Sequence, residues 1–179
     1  MNALLIIDYQ QAVFLGQPAC HRSREVAAVL TTAAVRARAL TWPVIFVRHE
    51  APGTSWDRAA PGWQFGDAIK PEPDDEIVDK TSCDAFRETD LQQLLYRRGI
   101  EGLYIGGYAT EFCVDTTVRS AAAREYRTTV LADAHTTRDR PHLQAPAIIE
   151  HHNWIWSRIY NPGNPITVLP WESAIPHAT

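Results

Sequence analysis

Short apolar runs alternate along this chain with longer segments in which apolar residues recur at helical spacing. Residues 3–7 are continuously apolar, which is typical of a strand buried on both faces of a parallel sheet. Residues 24–40 carry apolar side chains three and four positions apart, which predicts an amphipathic helix. The alternation continues to residue 169 and predicts an α/β fold of three layers. In this Rossmann-like arrangement a central, mostly parallel sheet is flanked by helices.

The remaining elements follow the same alternation. We expect further strands over residues 44–47, 76–79, 103–105, 129–132 and 166–169, and further helices at about 89–99, 111–125 and 142–159. No linker divides the chain, so we expect one domain over residues 1–179. Residues 50–75 show no period, but their Trp and Phe residues predict an ordered, functional loop.

Charge and cysteine content narrow the classes of partner and compartment. The formal net charge is -4 and no block of like charges occurs, so we expect neither a nucleic-acid nor a membrane-surface partner. No apolar run approaches the ~18 residues of a membrane helix. The three cysteines Cys20, Cys83 and Cys113 lack CxxC spacing, which indicates neither a disulfide framework nor a zinc site. We therefore expect a cytoplasmic protein.

Three chemically distinctive residues lie at expected strand ends. Asp8 ends the first strand, Lys80 follows the strand over residues 76–79, and Cys113 begins the helix after the strand over residues 103–105. Because the carboxyl ends of parallel strands meet at one edge of the sheet, we expect these side chains to lie together.

The chemistry of these three side chains is that of a cysteine nucleophile. A helix N-terminus and a nearby ammonium group both favour the thiolate of Cys113. Asp8 can accept the thiol proton and return it to a leaving amine, while Lys80 holds both partners. Backbone amides at the start of the helix, over residues 109–113, would face a developing oxyanion. Each residue alone has a plainer interpretation, as a turn former, a surface charge or a packed small side chain.

Five segments in order resemble the motifs of one enzyme superfamily. The segments are residues 4–10, 79–86, 107–121, 131–137 and 148–153. The first carries Asp8, the second Lys80 and the third Cys113. The chain thus resembles the isochorismatase-like cysteine hydrolases, which include nicotinamidase, N-carbamoylsarcosine amidohydrolase and isochorismatase. The resemblance implies that Cys113 attacks, Asp8 transfers protons and Lys80 supports both. It also implies a non-proline cis peptide between Tyr108 and Ala109, with the amides of Ala109 and Cys113 forming an oxyanion hole.

The chain departs from the superfamily pattern at several positions. Nicotinamidases bind a metal through an Asp-x-His pair after the second strand, where this chain reads Val-Arg-His-Glu over residues 47–50. We therefore expect no metal and no other cofactor, with His49 and Glu50 as a surface pair or pocket wall. Asp84 stands where Ser is usual and Glu88 where Gly is usual, which is expected to change the polarity of the pocket.

Aromatic residues near the motifs are candidates for the wall of a small-molecule pocket. These are Phe14, Trp56, Trp63, Phe86, Tyr108 and Phe112. Core packing is the alternative for each of them. We expect His135 to lie in a structured turn, and His152 and Asn153 to make hydrogen bonds that anchor their helix, rather than to catalyse.

These features together predict an enzyme that hydrolyses a C–N bond of a small amide, lactam, carbamoyl or ureido compound through a thioester at Cys113. A vinyl-ether hydrolase like isochorismatase and a non-catalytic binding protein are the alternatives. The expected partner is a small-molecule substrate, and the resemblance implies a homo-oligomer.

Overall fold

The computed structural model describes residues 1–177, so residues 178 and 179 of the expected domain lie outside the described part. Six strands form its sheet: β1 (Asn2–Ile7), β2 (Val44–His49), β3 (Glu76–Lys80), β4 (Gly102–Tyr108), β5 (Arg127–Thr136) and β6 (Thr167–Leu169). The strand order is β3-β2-β1-β4-β5-β6, and every neighbouring pair is parallel. The predicted α/β class is confirmed, and the sheet is parallel throughout.

Helices cover both faces of this sheet. They are α1 (Ala12–Leu15), α2 (Ser23–Ala39), α3 (Leu91–Arg97), α4 (Asp115–Ala123), α5 (Ala145–Trp156) and α6 (Trp171–Ala174). Side chains of β1 alternate between two cores, with Leu5 packed on the side of α3 and α4 and Leu4 on the side of α2 and α6. This two-sided burial is the reason that residues 3–7 of β1 are all apolar. The sequence pattern misses α1 and α6 because four residues show no helical period.

Strand β5 is longer than its apolar pattern predicts. We expected it to stop at Asp133, but it continues to Thr136 because the β4–β5 register shifts between Ile105 and Gly107 and pairing then resumes. Asp133 within the strand accepts a hydrogen bond from the Trp171 amide at 2.9 Å, which ties α6 to the sheet.

The segment that carries Cys113 also differs from the expected helix over residues 111–125. Residues Thr110–Val114 form a single π-helical turn, and the Val114 amide donates to the Ala109 carbonyl at 3.2 Å. Helix α4 begins only after this turn. Such wide turns are frequent at functional sites.

The irregular segment over residues 50–75 is ordered around Trp63, as its aromatic content predicts. The Arg48 guanidinium carbon lies 3.6 Å from the Trp63 ring centroid, and the Arg58 guanidinium carbon lies 4.9 Å from the same centroid. Arg58 also pairs with Glu50 at 2.7 Å, while Arg48 pairs with Asp79 of β3 at 2.7 Å. The loop is therefore fastened to β2 and β3.

Gly107 allows β4 to lie directly against the end of β1. Its φ is +133°, and a Cβ at this position would lie 2.1 Å from the Ile7 carbonyl oxygen. Only glycine fits this approach, which sets the spacing beside Asp8.

His135 lies buried in β5 rather than in the structured turn that we expected. The Thr110 hydroxyl donates to its Nδ1 at 2.9 Å, and its Nε2 donates to Asn153 Oδ1 at 3.0 Å. Asn153 in turn donates to the Ala132 carbonyl at 3.0 Å and anchors α5 to the sheet, as predicted. His152 Nδ1 donates to the Ile148 carbonyl of its own helix at 2.8 Å.

Because His135 is buried, we expect the free energy of unfolding to decrease in mild acid. Burial lowers the pKa of His135 to about 4, whereas an unfolded histidine titrates near about 6.5. The unfolded state therefore binds an extra proton as the pH falls through this window, and the folded state resists it. Between about pH 7 and pH 5 the contribution lost is about 2 kcal/mol. Urea unfolding of the wild type and of His135→Gln at both pH values measures it. Carboxylates common to both proteins cancel in the difference, and equal pH dependence of the two proteins would contradict the assignment.

Two further observations concern the described residues as a whole. Within residues 1–177, no helix combines the length and apolar character needed to cross a membrane. Cys20, Cys83 and Cys113 are all free thiols.

Candidate active site

The ends of three parallel elements bring Asp8, Lys80 and Cys113 into contact. Lys80 Nζ lies 2.6 Å from Asp8 Oδ2 and 3.2 Å from Cys113 Sγ. Asp8 and Lys80 are each 2% exposed, and Cys113 is 8% exposed. The predicted convergence at one edge of the sheet is therefore observed, in a site almost closed to solvent.

Backbone geometry positions each member of this group. Asp8 follows β1 with φ +49°, and its amide donates to the Val47 carbonyl at 2.9 Å. Lys80 ends β3 and is paired in register with His49 of β2. Cys113 lies in the π-helical turn before α4.

Lys80 is the centre of the hydrogen-bond network. Besides Asp8 and Cys113, its Nζ contacts the Ser82 carbonyl at 2.9 Å and His49 Nδ1 at 3.2 Å. The second carboxylate oxygen, Asp8 Oδ1, is buried and has no hydrogen-bond partner within residues 1–177. Asp8 thus retains an acceptor that can take the thiol proton.

Burial and neighbouring charges act in opposite directions on the ionisation of Cys113 and Lys80. Burial raises the pKa of the Cys113 thiol, and the Asp8 carboxylate raises it further against the opposing effect of Lys80. Burial alone would lower the pKa of Lys80, but the charges of Asp8 and Cys113 outweigh it and the pKa is raised. Lys80 favours the thiolate, as the sequence analysis expected, but burial and the Asp8 carboxylate oppose it.

His49 belongs to this network, a role that the sequence analysis missed. Its backbone is clamped by the buried Gln10 side chain, whose Oε1 accepts from the His49 amide at 2.7 Å and whose Nε2 donates to the His49 carbonyl at 3.0 Å. Burial and the neighbouring Lys80 charge lower the pKa of His49, so its ring is neutral. The signal in the sequence was Gln10, a polar residue two positions after Asp8, but its target depends on the pairing of β1 with β2.

One of the predicted pocket aromatics, Trp56, lies next to His49 and stacks on a second, Tyr108. The Trp56 ring stacks on Tyr108 with centroids 5.6 Å apart and an interplanar angle of 13°. Trp56 also meets the His49 ring edge-on, with centroids 6.0 Å apart. The Tyr108–Ala109 peptide is cis, as the resemblance implied. These rings form an aromatic wall beside the site, defined here as Trp56 and Tyr108.

Two other predicted pocket residues are packed in the interior. Phe86 is 6% exposed and stacks on Tyr126 with centroids 5.9 Å apart, so it fills the core. Trp63 is 7% exposed beneath Arg48. For both residues the structure favours the alternative of core packing.

The last two predicted pocket residues remain partly accessible. Phe14 is half-buried and meets Tyr9 edge-on, with centroids 5.8 Å apart. Phe112, next to Cys113, is half-exposed, with the Arg140 guanidinium 5.1 Å from its ring centroid.

Of the predicted oxyanion-hole residues, Ala109 precedes the π-helical turn and Cys113 lies within it. Ala109 is buried immediately before the turn, and its carbonyl accepts hydrogen bonds from the amides of Phe112 at 3.0 Å and Val114 at 3.2 Å. Ala109 and Cys113 thus lie close together on one short segment, and the oxyanion hole itself remains a prediction.

Two departures from the superfamily pattern have structural explanations. Asp84 accepts hydrogen bonds from the Phe86 amide at 2.9 Å and from Ser120 Oγ at 2.7 Å, so its carboxylate stabilises the turn after β3. Glu88 has φ +56°, a conformation that glycine adopts most readily. Of the nearby arginines, Arg48 is engaged by Asp79, while Arg87 remains exposed.

The geometry also bears on metal binding. Ligand-type atoms of Asp8, His49 and Cys113 lie within 4.8 Å of one another. The Lys80 ammonium contacts all three residues at 2.6–3.2 Å and supplies the positive charge that a metal ion would bring. This set of side chains therefore suits an ammonium group better than a metal ion, and the absence of a metal remains a prediction.

Curated proteins with related sequences are hydrolases. The chain is 30% identical, over 184 aligned positions, to a streptothricin hydrolase of Streptomyces noursei, covering 99% of this chain and 71% of the relative. It is 37% identical over 141 residues to the ureidoacrylate amidohydrolase RutB of Methylorubrum extorquens, covering 79% of this chain and 50% of the relative. The chain thus spans only part of the length of both relatives.

Solved structures of similar proteins have the same fold. The crystal structure of an isochorismatase family protein, 33% identical, superposes with a TM-score of 0.84 over 94% of this chain and 97% of its own. A cysteine hydrolase from Pseudomonas syringae pv. phaseolicola gives a TM-score of 0.87 at 23% identity over 97% and 90%, which supports the fold alone. The isochorismatase domain model matches residues 2–156. With that match over most of its length, the chain belongs to the isochorismatase family of hydrolases.

Proposed function

We propose that this protein hydrolyses a C–N bond of a small amide, lactam, carbamoyl or ureido compound through a thioester on Cys113. The observation that carries the proposal is the buried contact of the Lys80 ammonium with both Asp8 and Cys113. The names of two relatives, streptothricin hydrolase and ureidoacrylate amidohydrolase, favour the same bond class. We also propose that the protein is cytoplasmic, that it forms a homo-oligomer and that its partner is a small-molecule substrate.

The first half of the reaction forms the thioester. Asp8 Oδ1 takes the thiol proton as the Cys113 sulfur attacks the substrate carbonyl carbon. The Lys80 ammonium holds the other carboxylate oxygen and stabilises negative charge on sulfur. The carbonyl electrons move to oxygen, and the amides of Ala109 and Cys113 donate to that oxyanion.

The second half releases both products. When the tetrahedral intermediate collapses, the C–N bond breaks and the proton on Asp8 passes to the departing nitrogen. A water molecule then attacks the thioester carbonyl while Asp8 accepts its proton. Collapse of this second intermediate frees the carboxylic or carbamic acid, and the Asp8 proton returns to sulfur.

Direct assay with mass detection tests this proposal. Purified protein is incubated separately with streptothricin and with ureidoacrylate, and the products are identified by mass. Acid quenching within the first turnovers, followed by peptide mapping, is expected to show an acyl adduct on Cys113 that hydroxylamine removes. Turnover of either compound with no adduct on Cys113, even under single-turnover conditions, would argue for another mechanism, such as that of a vinyl-ether hydrolase. Failure to turn over either compound, together with failure of a wider amide and lactam panel, would reject the proposed bond class.

Loss of the aromatic wall is expected to weaken substrate binding. Trp56→Ala removes one ring of the aromatic wall, and the contact of such a ring with a flat substrate group contributes about 0.5–1.5 kcal/mol. We expect KM to rise about 2–10-fold with little change in the circular dichroism spectrum. Trp154→Ala, at an exposed position on α5, is the matched control. An unchanged KM in Trp56→Ala would remove this residue from the pocket.

A further inference from the structure

Lys80 has more hydrogen-bond acceptors around it than it has protons. Its Nζ lies 2.6 Å from Asp8 Oδ2, 2.9 Å from the Ser82 carbonyl, and 3.2 Å from both His49 Nδ1 and Cys113 Sγ. An ammonium group offers three N–H donors. The carboxylate and the carbonyl, which are the nearer contacts, take two of them. The third must serve either His49 or Cys113.

Lys80 Nζ lies at the same distance from His49 Nδ1 and Cys113 Sγ, but acceptor strength favours His49 for the third N–H while Cys113 is a thiol. An ammonium group has no lone pair, so His49 Nδ1 must be the acceptor and the ring carries its proton on Nε2. The sulfur of a neutral thiol is only a weak acceptor, whereas an imidazole nitrogen is a good one. Gln10 clamps the backbone of His49 on both sides and keeps Nδ1 within reach.

We propose that His49 is a positioning residue that holds the third N–H of Lys80 while Cys113 is a thiol and yields it to the sulfur when the thiolate forms. The inference rests on the proposed role of Cys113 as nucleophile. In the step itself the S–H bond breaks and an O–H bond forms on Asp8. The Lys80 N–H rotates from nitrogen to sulfur, and no proton leaves Lys80.

Few other charged groups are free to affect the ionisation of Cys113 as the Lys80 N–H moves from His49 to the sulfur. Those that bear on the Cys113 thiol are Asp8, Lys80 and Cys83. On the segment of Cys113 itself, Glu111 is paired with Arg140 at 2.6 Å and Asp115 with Arg119 at 2.8 Å. Near His49, Glu50 is paired with Arg58, and Arg48 and Arg58 with Asp79. His49 Nδ1 is thus the acceptor that binds the Lys80 N–H in the thiol state and loses it in the thiolate state.

This arrangement predicts that removal of the acceptor makes Cys113 easier to ionise. A hydrogen bond available only in the thiol state favours that state, so its loss favours the thiolate. His49→Leu has no acceptor but has a side chain of similar bulk, so it does not open the site. His49→Asn keeps an acceptor oxygen at the position of Nδ1 and is the matched control.

Alkylation by iodoacetamide tests the inference without any substrate. Rates of modification of Cys113 are measured by peptide mass spectrometry near pH 8, with the exposed Cys83 as an internal reference. We expect His49→Leu to react about tenfold faster than the wild type, equivalent to a shift of about one pH unit. His49→Asn is expected to stay within about twofold of the wild type. Thiolate absorbance, measured as a difference from Cys113→Ser, is expected to appear at lower pH in His49→Leu by the same amount.

The outcomes separate this inference from the proposed function. A folded His49→Leu protein that alkylates at the wild-type rate or more slowly, with an unchanged absorbance profile, overturns the exchange at Lys80. If Cys113 nevertheless forms the acyl adduct, the proposed function stands without it. If Cys113 forms no adduct with any hydrolysed compound, the proposed function fails even where the alkylation result holds.

Discussion

Cys113→Ser is expected to reduce turnover by a factor of at least about 10⁴. The site is built to manage a thiol proton, with Asp8 as acceptor and Lys80 within 3.2 Å of the sulfur. A hydroxyl is a far weaker acid than a thiol, and burial beside Asp8 already raises the pKa of the thiol. Asp8 alone cannot generate the corresponding alkoxide, so no acyl adduct accumulates. The measurement is kcat with whichever compound the wild type hydrolyses, together with adduct mapping after acid quench.

The matched control for this variant is Cys83→Ser. Cys83 is exposed in the turn after β3, and its replacement is expected to leave kcat within about twofold of the wild type. Retention of more than about a tenth of wild-type turnover in Cys113→Ser would show that sulfur is not the nucleophile. The vinyl-ether mechanism would then become the leading hypothesis.

Lys80→Met is expected to destabilise the fold by roughly 3–5 kcal/mol as well as to abolish activity. Lys80 supplies the contact at 2.6 Å that compensates the buried Asp8 carboxylate. Asp8 Oδ1 already lacks a partner, so the variant leaves a buried charge with little compensation. Methionine fills the space of the lysine stem, so loss of charge rather than a cavity dominates. Urea unfolding near pH 7 measures the difference.

The chain offers a matched control because Lys70 is its only other lysine. Lys70 is exposed and pairs loosely with Asp67 at 3.7 Å, so Lys70→Met is expected to change stability by less than about 0.5 kcal/mol. The double variant Asp8→Asn/Lys80→Met removes both charges and should regain part of the lost stability. A loss of under about 1 kcal/mol in Lys80→Met would mean that the pair is better solvated than its burial indicates.

The elements that the sequence predicts best are those with long, uniform patterns. β1 is apolar from residue 3 to residue 7 and α2 keeps its helical period over four turns, so the pattern predicts both elements to within one residue of their observed ends. The convergence of Asp8, Lys80 and Cys113 follows from parallel strand direction alone. It could therefore be predicted without knowledge of the strand order.

Features that depend on strand register could not be predicted from the hydrophobic pattern of the sequence. His49 reaches Lys80 because β2 and β3 pair those two residues directly, and no local signal encodes that pairing. The extension of β5 past Asp133 requires the register shift in β4. Phe86 is near Lys80 in sequence but packs on Tyr126, since the turn after β3 directs it into the core. In each case tertiary contacts determine the outcome.

The position of β3 at the edge of the sheet has a consequence for the durability of the site. Lys80 is the last residue of this strand, which lies at one end of the strand order beside β2, whereas Asp8 follows a central strand. Edge segments open locally at lower free energy than the global transition. Any opening that separates the end of β3 from β2 withdraws the ammonium from Asp8 and Cys113 while the rest of the sheet stays folded. We therefore expect local opening at the end of β3, which the Arg48–Asp79 ion pair opposes, to limit the lifetime of the assembled site before global unfolding does.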